Sequence, residues 1–170
     1  MRLGRRAGAG LAGHGFESAP AGLVLSLLRV MLGVLFITVW VENLRKDLYD
    51  PGPYAALING YADEGDAPGF WKELIRFVAD NAEVFSKLQL VAELAFGILL
   101  LLGLFTRIVG LLAGGFLTTL WISEIGVPNE WVWSLVSPAL VALTVALLPE
   151  ADRFGARGAL QSRIGAGRAA

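Results

Sequence analysis

Glu93 sits in AELAFGILLLLGLFTR, residues 92–107, a run that otherwise has the composition of lipid-facing hydrocarbon. A charged side chain near a bilayer centre costs about 2.5–3.5 kcal/mol on insertion scales, so the residue demands a partner, a proton or a task. At 100° per residue, Ser86, Gln89, Glu93 and Gly97 share one helical face. Such a polar line suits the interior of a helix bundle. Arg29 is the matching oddity in an earlier apolar run, with Gly33, Phe36 and Trp40 on its face and Asn43 extending it. Helix rise separates Arg29 from Glu93 by ~8 Å along the membrane normal, a gap that two long side chains can close. Two chemistries follow. One is a buried Arg29–Glu93 ion pair, bridged by Gln89 or water, that fixes one helix against another. The other is a polar pocket in which Glu93 is the catalytic proton relay. In that pocket Arg29, Gln89, Trp40 and Trp121 are the candidate substrate contacts.

Other residues read as structural. Arg107, Gly110, Gly114, Thr118 and Trp121 share a face, and Gly110 with Gly114 forms a small-residue seam for close helix approach. Gly33 and Gly97, on the Arg29 and Glu93 faces, are also read as structural positions. Arg107 reads as a topology anchor within reach of Glu150 or Asp152, and Glu42 and Glu124 as carboxylates at helix ends.

The elements that must position these residues are apolar and long. The chain has 170 residues, of which 55% are hydrophobic, and its mean hydropathy is +0.61. The net charge of −1 hides a segregation of charges into the two ends and one long connection. That is the pattern of an integral membrane protein. The absence of cysteine excludes disulfides, thiol catalysis and iron–sulfur clusters, and His14, the one histidine, lies in a Gly-rich stretch. No haem, metal or iron–sulfur cluster is therefore expected. The basic start and the run that follows lack a signal-peptide cleavage site, so the run reads as a retained helix.

Four segments, roughly 22–42, 84–104, 107–125 and 131–148, are each read as membrane-spanning. The expected fold is all-α: a four-helix transmembrane bundle with an external amphipathic helix in the long loop between helices 1 and 2. Residues 1–21 and 151–170 read as basic flexible tails around a membrane domain over 22–150. Basic residues near the helix ends place both termini in the cytoplasm and the long loop outside a plasma membrane. Trp40, Trp121, Trp131 and Trp133 form an aromatic belt at the outer ends. In GFWKELIRFVADNAEVF, residues 69–85, apolar Phe70, Trp71, Leu74, Phe77, Val78 and Phe85 oppose Lys72, Glu73, Arg76, Asp80 and Glu83. Asp66 and Pro68 mark its start, and a short helix is expected upstream around 54–58.

LLRVMLGVLFITVWVENLRK, residues 27–46, resembles the first helix of the DoxX family, and VAELAFGILLLLGLFTR, residues 91–107, resembles its second helix and tight turn. The long loop from KDLYDPGPYAALINGYADEG onward is similar to the DoxD-type branch, named for the small subunit of a thiosulfate–quinone oxidoreductase. The matching positions are Arg29, Gly33, Glu93, Gly97 and Arg107. The resemblance implies a four-helix membrane protein tied to quinone-linked redox chemistry. A chain without an electron carrier of its own must then use a bound quinone, an external cofactor or a partner subunit. Expected partners are membrane lipid, a second membrane or soluble redox subunit, and a further copy of the chain in a homo-oligomer; nucleic acid is not expected. The alternatives are a scaffold that stabilises a partner protein and a carrier of small solutes or lipids.

Overall fold

The computed structural model describes residues 14–131, 133–152 and 155. Within them the chain is all-helical: α1 His14–Arg45, α2 Pro51–Glu64, α3 Gly69–Asp80, α4 Ala82–Leu102, α5 Thr106–Ser123 and α6 Trp133–Leu147. A terminal 3-10 turn spans Pro149–Asp152. No strand occurs among the described residues. The expected tails lie outside the described residues over 1–13 and for most of 151–170, while helix α1 already begins at His14.

Three helical stretches, Pro20–Arg45, Ala82–Leu102 and Thr106–Ser123, are long and apolar enough to cross a membrane. The fourth expected segment is shorter than anticipated. Helix α6 has 15 residues, a rise of ~22 Å against ~30 Å of hydrocarbon. The polarity of the packed helices is inverted relative to a water-soluble protein. Leu27, Met31, Leu88, Val91, Ile108, Leu112 and Leu140 are exposed, whereas Ser26, Arg29, Ser86, Glu93 and Thr106 are buried. Lipid suits the first set; in the second, Ser26, Arg29 and Glu93 are met by protein hydrogen bonds, whereas Ser86 Oγ and Thr106 Oγ1 have no partner among the described residues.

The core of α1, α4, α5 and α6 is built from Leu25, Leu32, Phe36, Leu100, Val109, Ala113, Leu117, Ala142 and Val145. Small residues set the helix approaches. A Cβ at Gly33 would stand 2.8 Å from Leu101 Cγ, and one at Gly97 would stand 2.6 Å from Ile37 Cδ1. Those two contacts fix the antiparallel register of α1 on α4. Gly110 and Gly114 do the same for α5 against α6, where a Cβ would stand 2.9 Å from Ala146 and from Leu143. Phe36, Phe96 and Phe116 meet where α1, α4 and α5 converge, with ring centroids 5.3 to 6.4 Å apart.

Helices α2 and α3 form a separate cap at one end. Tyr54, Ile58, Ala62, Ile75 and Ala79 make its core, together with Ala82 at the start of α4. Helix α2 is longer than the short helix expected, because Pro51 and Pro53 occupy its first turn, where a missing N–H costs nothing. Helix α3 ends at Asp80 rather than running on to Phe85, since Asn81 leaves helical geometry at φ −110° and ψ 33° and α4 restarts beyond it. The amide of Asp66 donates to the carbonyl of Ile125 at 2.6 Å, stitching the cap to the α5–α6 turn.

Candidate functional site

The α1–α4 register separates the two intramembrane charges. With Gly97 against Ile37 and Gly33 against Leu101, Glu93 lies level with Val41. Arg29 is twelve residues further down α1, or ~18 Å by helix rise. The expected Arg29–Glu93 pair does not form; the estimate of ~8 Å assumed a register in which the two helices slid further past one another.

Arg29 is 1% exposed and meets backbone carbonyls at the far end of the α1–α4 contact from Glu93. Its guanidinium donates to the carbonyls of Leu100 and Leu101 at the end of α4, and Nε donates to Ala151 O at 3.2 Å. Ser26 Oγ joins the same Ala151 carbonyl at 3.3 Å. The last carbonyls of a helix lack intrahelical donors and carry partial negative charge, so a cation is well placed there. Gly103, at φ +67°, lets the chain turn beside it: a Cβ would stand 2.7 Å from an Arg29 guanidinium nitrogen. Arg29 thus clamps the α4–α5 turn to the 3-10 turn after α6, remote from Glu93. Arg107 is exposed at the start of α5, and among the described residues no ion pair joins it to Glu150; the side chain of Asp152 lies outside the described residues.

Glu93 is likewise 1% exposed, and its neighbours are neutral donors. Tyr49 Oη donates to Oε2 at 2.5 Å, Asn43 Nδ2 to Oε2 at 3.1 Å, and Gln89 Nε2 to Oε1 at 2.8 Å. Among the described residues no salt bridge reaches Glu93. Tyr49 is itself held from behind, because Lys87 Nζ donates to its carbonyl at 2.8 Å and lies 3.7 Å from Asp50. Burial, and then the Glu93 hydrogen bond and charge, push the Tyr49 hydroxyl above its ordinary range. That phenol stays a proton donor to the carboxylate at any physiological pH. Sequence reasoning extended the Arg29 face to Asn43 but missed Tyr49, which lies beyond the end of α1 where helical periodicity carries no information.

Gln89 has a second role. It lines a groove of about 470 Å³ bounded by α2, α3, α4 and α5, with Tyr54, Trp71, Phe85, Leu88, Phe116 and Ser123 among its walls. Volumes of roughly 300–1,000 Å³ are those of small-molecule sites. Burial and the nearby Glu93 charge push the Tyr54 hydroxyl up to about 12. Trp71 Nε1 donates to Ser123 Oγ at 3.0 Å across the groove's far wall. The groove therefore runs from an apolar mouth, where Leu74, Phe77 and Leu88 are exposed, toward the Gln89–Glu93 contact.

Trp40 and Trp121 do not line this groove. Each follows the Phe36–Phe96–Phe116 contact along its helix, toward the end where Glu93 lies, and each has a buried indole N–H without a partner. Buried unsatisfied donors are rare in folded proteins. At the edge of the cap, Tyr61 Oη donates to Glu124 Oε1 at 3.3 Å. Burial first and Glu130 second push the Glu124 carboxyl up to about 7, against the lowering effect of that hydrogen bond.

The profile of the DoxX family matches residues 24–124, more than half of the chain. The chain belongs to the DoxX family. No curated protein matches the chain, and no solved structure matches it. The DoxX match runs from α1 to the end of α5, so it contains Arg29, Glu93, the Tyr49–Asn43–Gln89 donors and the whole groove. The inverted polarity of the helices and the DoxX membership together make this a membrane protein.

Proposed function

We propose that this DoxX protein is a four-span plasma-membrane subunit of a quinone-linked oxidoreductase, of the DoxD type, in which Glu93 exchanges the proton that accompanies quinone redox chemistry. In this reading α6 is the fourth span, the termini are cytoplasmic, and α3 lies at the outer interface with Phe70, Leu74 and Phe77 toward lipid. The observation that carries the reading is Glu93 itself. A buried carboxylate held by three neutral donors is an acid–base group in waiting, because no fixed cation locks its charge. Gln89 connects it to a groove large enough for a small molecule.

The residues present fit a quinone headgroup. A quinone supplies a two-electron couple and two carbonyl acceptors. Tyr54 lines the groove, and among the described residues its hydroxyl has no hydrogen-bond partner, so it is available as a donor to one carbonyl. Gln89 orients the carboxylate, and Tyr49 and Asn43 hold its other oxygen. A chain with no cysteine and one histidine must receive electrons from a partner subunit.

The test is binding. Protein in lipid nanodiscs, titrated with decylubiquinone and followed by tryptophan quenching, should saturate. Tyr54→Phe should weaken binding about 5–10-fold, equivalent to a hydrogen bond worth ~1–1.5 kcal/mol, with an unchanged melting midpoint. Quenching that rises linearly and identically in both proteins would reject the quinone site.

A further inference from the structure

We infer that the α2–α5 groove holds a single hydrocarbon chain, prenyl or acyl, that enters sideways from the bilayer with its polar end at Gln89 and Tyr54. This goes beyond the proposed function by assigning the tail site and the route of entry, and it rests on that reading only for the identity of the headgroup.

Three observations support it. First, the polarity of the groove is one-sided. Phe85, Leu88, Ala92, Phe116 and Leu120 supply an apolar wall from α4 and α5, the Thr119 and Ser123 hydroxyls beside it are spent on carbonyls of their own helix, and Gln89 interrupts it where it bonds Glu93. A ligand that fills this shape is an amphiphile, apolar along its length and able to accept a hydrogen bond at one end. Second, the mouth opens on apolar surface. Leu74 is 48% exposed, Phe77 57% and Leu88 58%, so the residues at the mouth face the same medium as the lipid-facing sides of α4 and α5. A water-soluble substrate would have to cross that surface, whereas a lipid-soluble one is already dissolved at it. Third, the far wall is tied shut. The Trp71–Ser123 hydrogen bond joins α3 to the end of α5, and the Asp66–Ile125 backbone bond holds the cap to the α5–α6 turn. The cap is therefore a fixed roof, and the open side is toward lipid.

The same chain chemistry comes from a quinone's prenyl tail or from a phospholipid, and two photoprobes separate them. One is a benzoquinone with a diazirine in a ten-carbon tail; the other is a phosphatidylcholine with a diazirine in one acyl chain. Each is incorporated in nanodiscs with the intact protein, irradiated, and the labelled peptides are read by mass spectrometry. Labelling by the quinone probe should concentrate at least tenfold on peptides carrying Leu88–Ala92 and Phe116–Leu120 over those carrying Leu111, Leu112 and Leu140. Leu88→Trp and Thr119→Trp, both at partly open positions of the wall, should each remove that excess without shifting the melting midpoint. If the phospholipid probe alone gives the excess, the chain site stands and the quinone reading falls. Even labelling of all lipid-facing peptides by both probes, unchanged in both variants, would overturn the chain site and leave the headgroup reading to the decylubiquinone titration.

Discussion

Replacing Arg29 with Leu removes the donor shared by three backbone carbonyls, those of Leu100, Leu101 and Ala151. A charge-assisted hydrogen bond contributes about 1.5–3 kcal/mol, and the contributions of one guanidinium do not add fully. Removing a buried charged partner typically costs about 3–5 kcal/mol, so Arg29→Leu should lose that order of folding free energy. The loss should appear as a lower melting midpoint in mild detergent and as protease cleavage after α6, where the terminal 3-10 turn loses its anchor. The α1–α4 register makes Arg29 energetically independent of Glu93. The Arg29→Leu, Glu93→Gln double variant should be additive to within ~0.5 kcal/mol, as for sites more than ~10 Å apart. An Arg29→Glu, Glu93→Arg exchange should be worse than either single variant. Recovery of folded protein in that exchange, or a coupling above ~1 kcal/mol, would refute the ~18 Å separation and restore an ion pair.

Tyr49→Phe removes the shortest bond to Glu93 and should destabilise by ~1.5–3 kcal/mol in the wild type but by under ~1 kcal/mol in Glu93→Leu, measured as a double-mutant cycle. Glu124 holds a proton in the folded state up to about pH 7 against an ordinary 4.5, so the folded state binds more protons than the unfolded one across that window. Stability should therefore be greatest at acid pH and fall as pH rises through it. Glu124→Gln should flatten that slope in melting curves, and Tyr61→Phe should extend the fall to higher pH. The chain has no cysteine, so single replacements map topology directly. Asp63→Cys and Asn129→Cys should react with an impermeant thiol reagent on intact cells and Phe105→Cys should not, the reverse pattern inverting the proposed orientation.

Much of the fold was legible because membrane helices are written in run length. The starts and ends of α4 and α5 lie within about two residues of the apolar segments, as boundary signals allow. The glycine faces were legible too, since Gly33, Gly97, Gly110 and Gly114 can serve close approach only if they face a neighbouring helix. That Glu93 turns inward follows from 100° arithmetic alone. Its partners do not. Depth depends on which residues of α1 and α4 touch, and a slip of one helical turn moves a side chain by ~5.4 Å. Arg29 illustrates the harder case: the carbonyls of Leu100, Leu101 and Ala151 that it meets have no sequence signature, so the carboxylate of Glu93 looked like the natural partner. Tyr54 was hidden for a different reason, because the cap that carries it is placed by tertiary contacts at Ile58, Ala62, Ile75 and Ala79.

Glu93 is proposed to move a proton for a quinone rather than only to join helices. The most direct test is quinone reduction in native membranes, normalised to folded protein, for wild type and Glu93→Gln. The amide keeps the size of the side chain and one acceptor, so the fold should persist at a cost of about 1–3 kcal/mol where its NH₂ faces former donors. Turnover per folded molecule should fall at least tenfold, because an amide cannot accept and release the proton. Turnover per folded molecule equal to wild type would contradict the proton-relay role and leave Glu93 as a structural acceptor for Tyr49, Asn43 and Gln89.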